Sequence, residues 1–146
     1  INFYRLIYYF CIVLKIRRIK YSDIEQVRIL LTDSFSPRYN KPFLRKDFSD
    51  SKNITLVAET EGSVVAVASL YIIEKLTRKM GLIEDVAVDP KLRGKGVGKK
   101  LIKNLIKYSV KENCDKVSLS SSEKNVPFYE KIGFQVNELQ MILRNN

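Results

Sequence analysis

A glycine-rich stretch between an apolar run and an amphipathic pattern constrains this chain most. Gly94, Gly96 and Gly98 alternate with other residues shortly after the apolar run 81–88. A helical apolar periodicity covers 97–111, so we predict a strand, a tight turn and a helix in succession. Glycines let a backbone approach a ligand closely, and the first turn of a helix has free N–H groups. Such a turn is therefore typical of phosphate binding.

Two common nucleotide-binding motifs do not match this loop. A Walker loop ends in Gly-Lys followed by Ser or Thr, but here Gly98 and Lys99 are followed by Lys100. A dinucleotide fingerprint needs a different glycine spacing and an acidic residue after a second strand, whereas Asp115 precedes the next predicted strand. The spacing that matches is Arg-x-x-Gly-x-Gly, which begins at Arg93. The alternative is an ordinary glycine-rich turn.

The net charge and the residue types narrow the chemistry. The chain has 146 residues and a net charge of +10, which indicates either general solubility and nucleic-acid affinity or attraction of polyanionic small molecules. It contains no histidine, so Ser-His-Asp, Cys-His and His-ligated metal chemistry are excluded, and no metal site is predicted. Cys11 and Cys114 have no metal-binding spacing, and a reduced, cytoplasmic protein is the simplest interpretation.

The apolar periodicity predicts one α/β domain over 1–146, with a mixed central sheet flanked by helices. The predicted strands are 12–19, 54–60, 64–74, 80–88, 117–119 and 134–143. The predicted helices are 97–111, 125–131 and a first helix that starts at a capping box in 22–25. The apolar stripe of that first helix consists of Ile24, Val27, Leu30 and Leu31.

Two segments lie outside this regular pattern. The stretch 35–52 is polar and aromatic and contains Pro37 and Pro42, so we predict a long loop with a short helix at 43–48. Because long loops in compact domains tend to be functional, we assign it to the substrate mouth. Residues 1–11 are an apolar extension that Arg5 interrupts; it is too short to span a bilayer, and we favour a lead-in to the first strand over a membrane anchor.

A second motif lies near the C-terminus. It reads Asn-x-x-Phe-Tyr-x-x-x-Gly-Phe over 125–134. Together with the glycine loop and the order of the elements, this motif resembles the GNAT acetyltransferase superfamily. The resemblance implies the GNAT fold and acetyl-CoA as cosubstrate, without a metal. Core packing is the alternative role for the aromatic residues; we favour it for Phe128 and Phe134 but not for Tyr129.

The segment 81–144, with a weaker match at 16–27, is similar to the eukaryotic glucosamine-6-phosphate N-acetyltransferases. This closer resemblance implies that the amine of glucosamine 6-phosphate attacks the acetyl thioester directly, on the route to UDP-N-acetylglucosamine. It also implies an intertwined homodimer with a shared site. The expected ligands are acetyl-CoA and a phosphorylated amino sugar, with no nucleic acid and no stable membrane insertion.

The resemblance assigns a role to each matching residue. The thioester and pantetheine are assigned to the backbone of Val86, Ala87 and Val88. The pyrophosphate is assigned to Arg93, Gly94, Lys95, Gly96, Val97 and Gly98. The rest of the coenzyme is assigned to Asn125 and Phe128, and Tyr129 is the donor to the leaving thiolate. The amino sugar phosphate is assigned to Glu84, Asp85, Lys116 and Arg144, the arginine coming from the partner subunit.

The general base stays open because of two departures from the family. Leu82 stands where a histidine is usual, and Ser120 stands where the family has an aspartate near the amine. A hydroxyl cannot favour an ammonium as strongly as a carboxylate does. Neighbours on a strand face opposite ways, so we expect that Glu84 and Asp85 cannot grip one ligand atom. Catalytic candidates are therefore Tyr129, Glu84, Asp85 and Ser120.

Other interpretations stay open beside this one. A protein or peptide N-acetyltransferase of the same fold would favour an acidic groove, unlike this basic chain. A non-catalytic acyl-CoA-binding module would not need Tyr129, and a nucleic-acid-binding module would favour a basic helix interleaved with aromatic residues. Glu84 and Asp85 are alternatively solvated strand-end charges, and Lys116 and Arg144 are alternatively plain surface charges.

Overall fold

The described part of the chain is a five-stranded mixed sheet with helices on both faces. The computed structural model describes residues 13–145, apart from the side chain of Tyr39; the extension 1–11 and the predicted strand residue Ile12 lie outside the described residues. The strands follow chain order in the sheet: β1 Lys15–Arg18, β2 Asn53–Thr60, β3 Ser63–Glu74, β4 Lys79–Val88 and β5 Cys114–Leu119. The first four strands are antiparallel, and β5 runs parallel to β4.

Three α-helices complete this arrangement. They are α1 Ile24–Ser34 between β1 and β2, α2 Val97–Lys111 between β4 and β5, and α3 Val126–Glu130 after β5. The predicted mixed sheet flanked by helices is confirmed, and the bounds of α2 are those predicted from the sequence. None of the helices in residues 13–145 is long and apolar enough to cross a membrane.

The two faces of the sheet carry separate apolar cores. Leu101, Ile102 and Leu105 of α2 are fully buried on one face, against alternate residues of β2 and β3. Val27 of α1 is buried on the other face, where it packs in a cluster with Val57. Each fully buried aliphatic side chain contributes ~1.5–3 kcal/mol. The alternation along the strands thus holds α1 and α2 on opposite sides.

The start of α1 differs from the predicted capping box. Asp23 precedes the helix, but its carboxylate accepts from the backbone N–H of Lys20 at 2.7 Å and from both terminal nitrogens of Arg17 at 2.7 and 2.9 Å. Arg17 also donates to Glu59 on β2 at 2.6 Å. The guanidinium of Arg17 holds the pKa of Asp23 below its usual range. Asp23 therefore caps the 3₁₀ turn Tyr21–Asp23 and pairs with Arg17 of β1, but it makes no side-chain hydrogen bond to the first turn of α1.

The predicted short helix at 43–48 is wrong. The loop between α1 and β2 contains one 3₁₀ turn, Pro37–Tyr39, and is otherwise irregular. Phe43 and Phe48 pack against the apolar cluster under α1. Packing of aromatic side chains, and not helical hydrogen bonds, therefore holds this segment against the sheet.

The predicted last strand, 134–143, is also wrong in this structure. Residues 134–145 have no regular secondary structure and pair with no strand of the described chain. Apolar side chains along it are open to solvent: Val136 is 75% exposed, Leu139 96% and Met141 95%. A strand forms only where a neighbour accepts its backbone hydrogen bonds, so the apolar pattern alone does not place this segment in the sheet.

Candidate functional site

A β-bulge interrupts β4 at Asp85. Val67 of β3 pairs with Ala87 and Ser69 pairs with Glu84, so one residue of β3 lies opposite two residues of β4. Asp85 takes the left-handed backbone conformation, with φ of +56°. Aspartate is one of the few non-glycine residues that adopt this region. Bulges bend a strand and redirect a side chain, and they are common next to functional sites.

The bulge places the side chains of Glu84 and Asp85 on the same face of the sheet. Glu84 lies opposite Ser69, and side chains of paired residues share a face. Asp85 borders the same cavity as Ser69 and Tyr71. The expectation that these carboxylates face opposite ways is therefore wrong, because the extra residue in β4 breaks the alternation. Burial raises the pKa of Asp85; burial and then the charge of Asp85 raise the pKa of Glu84.

Strands β4 and β5 separate just before the bulge. Their pairing runs from Lys79 with Cys114 to Ile83 with Leu119 and ends there. Val86 and Val88 pack toward the α2 core, and Ala87 toward the α1 core. The outer edge of β4 over 84–88 thus has no β5 partner. Its backbone donors and acceptors, apart from the Val88 carbonyl that accepts from Arg93, can therefore meet an extended ligand lying in the gap.

The glycine loop follows β4 directly. A 3₁₀ turn, Pro90–Leu92, leads to Gly94 and Gly96, whose φ angles are +74° and +82°. Gly96 is the N-cap of α2, and no side chain caps that helix. The first-turn N–H groups are therefore available for an anion, as the phosphate interpretation requires. Arg93 is exposed and its Nε donates to the carbonyl of Val88 at 3.1 Å, which ties the loop to the end of β4.

Helix α3 packs against the first turn of α2 through Gly98. A Cβ atom at Gly98 would lie 3.3 Å from the ring of Phe128 and 3.4 Å from the side chain of Val88. Position 98 therefore requires glycine because of close packing. Position 96 has open space around it and requires glycine because of its backbone conformation. This contact brings the C-terminal motif beside the glycine loop and the open edge of β4.

Tyr129 lies partly buried at this junction. Its ring packs edge to face with Phe128, at 4.9 Å between centroids, and with Phe134 at 5.9 Å. Burial raises the pKa of its hydroxyl, so the phenol is protonated at neutral pH. Within residues 13–145 the hydroxyl makes no hydrogen bond with another side chain. Tyr129 and Phe134 thus pack against the α2 core, whereas the expectation that Phe128 belongs to the core is wrong, because Phe128 is 38% exposed.

The other predicted site residues lie at the surface. Lys116 is exposed on β5, Ser120 follows the end of β5, and Asn125 is exposed in the 3₁₀ turn before α3. Arg144 is in the exposed segment 135–145. Within a single chain, these residues do not join Glu84 and Asp85 in one enclosed pocket.

A cavity of about 780 Å³ opens on the α1 face of the sheet. Its walls come from α1, from the loop 35–52 and from β2 to β4, so the loop assigned to the substrate mouth does border a cavity. The residues that reasoning from the sequence missed are Arg45, Thr55, Ser69 and Tyr71. A signal for two of them was present: Ser69 and Tyr71 are the polar positions in the otherwise apolar run of β3.

A chain of hydrogen bonds crosses the floor of this cavity. Arg45 donates to the hydroxyl of Thr55 and, at 3.1 Å, to the carbonyl of Asn53. The hydroxyls of Thr55 and Ser69 are 2.8 Å apart and buried. The Ser69 hydroxyl, and the Tyr71 hydroxyl at 3.3 Å, both lower the pKa of Asp85 by hydrogen bonding, against the larger effect of burial.

This fold, with a bulged β4, a gap between β4 and β5 and a glycine loop at the start of α2, defines an acetyltransferase class. The family model described as acetyltransferase (GNAT) family matches residues 24–134, and the chain belongs to that family. Among its relatives is a Trypanosoma brucei glucosamine 6-phosphate N-acetyltransferase, 53% identical over 85 residues, which cover 56% of this chain and 58% of the relative.

Two solved structures agree with this assignment of the fold. A Trypanosoma brucei acetyltransferase superposes with a TM-score of 0.81 and 38% identity, over 90% of this chain and 99% of that one. Arabidopsis thaliana glucosamine-6-phosphate N-acetyltransferase superposes with a TM-score of 0.77 and 28% identity, over 92% and 99% of the two chains.

Proposed function

We propose that the protein is an acetyl-CoA-dependent N-acetyltransferase that converts glucosamine 6-phosphate to N-acetylglucosamine 6-phosphate. Its product would serve UDP-N-acetylglucosamine synthesis in the cytoplasm. The observation that carries the proposal is the pairing of an open β4 edge with an uncapped, glycine-lined helix N-terminus. The Trypanosoma brucei and Arabidopsis relatives are glucosamine 6-phosphate N-acetyltransferases, which supports the choice of acceptor.

Acetyl-CoA fits the residues around the gap between β4 and β5. The N–H groups at the start of α2 suit a pyrophosphate, and positive φ at Gly94 and Gly96 lets the loop curve around it. The open edge over 86–88 suits the pantetheine amides, which bind as an additional strand would. The basic residues of the loop, Arg93 and Lys95, add positive charge near the phosphates.

Direct attack by the amine requires two proton movements. The amine nitrogen forms a bond to the thioester carbon, the C–S bond breaks, and the sulfur leaves as a thiolate. Tyr129 supplies the hydrogen bond, and then the proton, to that sulfur, an interaction that is stronger in the transition state than before it. The proton of the attacking amine passes to a carboxylate on the α1 face; Asp85 and Glu84 are the carboxylates at the bulge. The neutral hydroxyl of Ser120 can donate or accept a hydrogen bond, but it cannot favour the ammonium as strongly as a carboxylate does.

The active form in this proposal is a homodimer with a shared site. The apolar side chains of segment 135–145 are exposed in one chain, which is consistent with a second chain covering them. Arg144 lies in this segment, so pairing of the segment with a partner would carry a guanidinium toward the partner's acceptor. Lys116 on the edge strand β5 is the second cation assigned to the sugar phosphate.

Acceptor profiling with acetyl-CoA tests the proposed function. The purified protein is assayed for thiol release with glucosamine 6-phosphate, glucosamine and lysine peptides. We expect the phosphorylated sugar to have the highest kcat/KM. Preference for a peptide would replace the proposal with protein acetylation, and acetyl-CoA binding without any transfer would replace it with an acyl-CoA-binding role.

A further inference from the structure

The cavity under α1 contains opposite charges at two fixed points. Asp85 lies on β4, and Arg45 is anchored to β2 through Asn53 and Thr55. Neighbouring strands are ~4.8 Å apart, so the two charges are separated by roughly the width of two strand intervals. Thr55 and Ser69 bridge the space between them with buried hydroxyls. The cavity is therefore positive at its β2 end and negative at its β4 end.

The orientation of the hydrogen bonds along this floor follows from the chemistry of its ends. A guanidinium only donates and a carboxylate only accepts. Thr55 accepts from Arg45, so its own hydrogen is free for Ser69, and the hydrogen of Ser69 is free for Asp85. The Arg45–Thr55 and Thr55–Ser69 hydrogen bonds hold the guanidinium end, and the hydrogen bond from Tyr71 holds the carboxylate end, so the distance between the two charges is restricted. That distance is of the same order as the separation of amine and phosphate in one hexosamine phosphate.

We propose that Arg45 is the specificity-determining residue that binds the anionic group of the acceptor within the same subunit, opposite the ammonium group at Asp85. The inference rests on the proposed function, and it adds a cation that does not come from the partner. Among residues 13–145, Asn53 and Thr55 occupy two of the five N–H donors of Arg45, which leaves three for phosphate oxygens. The guanidinium lies 5.0 Å from the ring centroid of Phe48, which limits its movement.

The surrounding charges favour an anion at this end of the cavity. Arg38 and Lys41 also border it, and both are exposed. The carboxylate of Asp85 lies at the other end, at the bulge. A ligand with a positive and a negative group at its two ends is complementary to this arrangement, whereas an uncharged sugar gains nothing from Arg45.

The test compares Arg45→Gln with Arg28→Gln, an identical substitution on α1 at a residue that does not border the cavity. KM is measured for glucosamine 6-phosphate and for glucosamine, and the Kd of glucose 6-phosphate by calorimetry. We expect Arg45→Gln to weaken the binding of both phosphorylated ligands roughly 10-fold to 100-fold, which is the loss expected when a charge-assisted hydrogen bond is removed. The KM values for glucosamine and for acetyl-CoA should stay within about twofold, and Arg28→Gln should match the wild type.

Two results for Arg45→Gln would overturn the inference. An equal rise in KM for both sugars would mean that Arg45 only holds the loop in place. An unchanged KM for the phosphorylated sugar would mean that Arg45 is not part of the binding site. Arg45→Lys, which retains the charge without the planar fork, decides the question if Arg45→Gln fails to fold. If the wild type acetylates no amino sugar, the proposed function fails, but the glucose 6-phosphate Kd still tests the anion site; no binding by the wild type overturns it.

Discussion

The hydroxyl of Tyr71 donates a 3.3 Å hydrogen bond to the carboxylate of Asp85, the residue at the β4 bulge. Burial favours the neutral carboxyl and raises the pKa of Asp85, whereas this bond favours the ionised form. Two opposing effects thus act on the pKa of Asp85. Tyr71 is a positioning residue for Asp85 and does not need to touch the reacting atoms.

Tyr71→Phe should move the pH dependence of kcat/KM. Without the donor, the pKa of Asp85 rises further. Because a general base acts only when deprotonated, the acidic limb of the profile should shift to higher pH. At pH values above this limb, kcat/KM should change little. Tyr21→Phe, at an exposed position, is the control. An unshifted acidic limb in Tyr71→Phe would mean that Asp85 does not accept the amine's proton.

Gly96→Val should raise the KM for acetyl-CoA roughly tenfold or more, because a strained loop loses backbone hydrogen bonds to the charged pyrophosphate. The matched control is Gly62→Val, in the turn between β2 and β3. Both glycines have positive φ and open space at Cβ, so each substitution costs ~1–2 kcal/mol of backbone strain. The melting temperature should therefore fall by a similar amount in both variants, whereas the KM for acetyl-CoA should rise only in Gly96→Val. A normal KM at Gly96 would remove the loop from the cosubstrate site.

Tyr129→Phe should lower kcat by about 10²-fold, with a smaller effect on acetyl-CoA binding, because the hydroxyl is needed when the thiolate develops. The phenyl ring retains its contacts with Phe128 and Phe134, so the melting temperature should stay close to that of the wild type. Steady-state kinetics and calorimetry separate the two effects. Wild-type kcat in this variant would leave Tyr129 with a packing role alone.

Arg144→Ala should raise the KM for glucosamine 6-phosphate roughly tenfold, and it should narrow the preference for that sugar over glucosamine. Mixing this variant with Tyr129→Phe should restore part of the activity if the arginine acts on the partner's site, since each mixed dimer has one intact site. No recovery on mixing, with subunit exchange verified by labelling, would place Arg144 in its own subunit's site or outside both.

Deletion of residues 135–146 should leave a folded monomer. The apolar residues of this segment are exposed in one chain, so their removal costs little within it. Light scattering on the full-length and the shortened protein measures the change in mass, and circular dichroism checks the fold. A shortened protein that still forms a dimer would show that other surfaces hold the subunits together.

Local sequence was sufficient for the elements whose residues interact with near neighbours. The apolar stripe and the glycines defined α2 with its bounds, because helical hydrogen bonds join residues four apart and the loop glycines need only their own φ angles. The same holds for α3, which the sequence predicted over 125–131 and which the structure has as Val126–Glu130. Acetyl-CoA binding and the role of Tyr129 stay predictions from resemblance.

The tertiary structure decided what depends on partners distant in the sequence. The bulge at Asp85 arises from the register between β3 and β4, and it reversed the expectation for Glu84 and Asp85. Arg45 joined the cavity because β2 offers it a carbonyl and a hydroxyl. The segment 134–143 has the apolar pattern of a strand but no strand to pair with in the described chain. Local pattern selects the type of an element, whereas register and pairing depend on which distant backbone completes its hydrogen bonds.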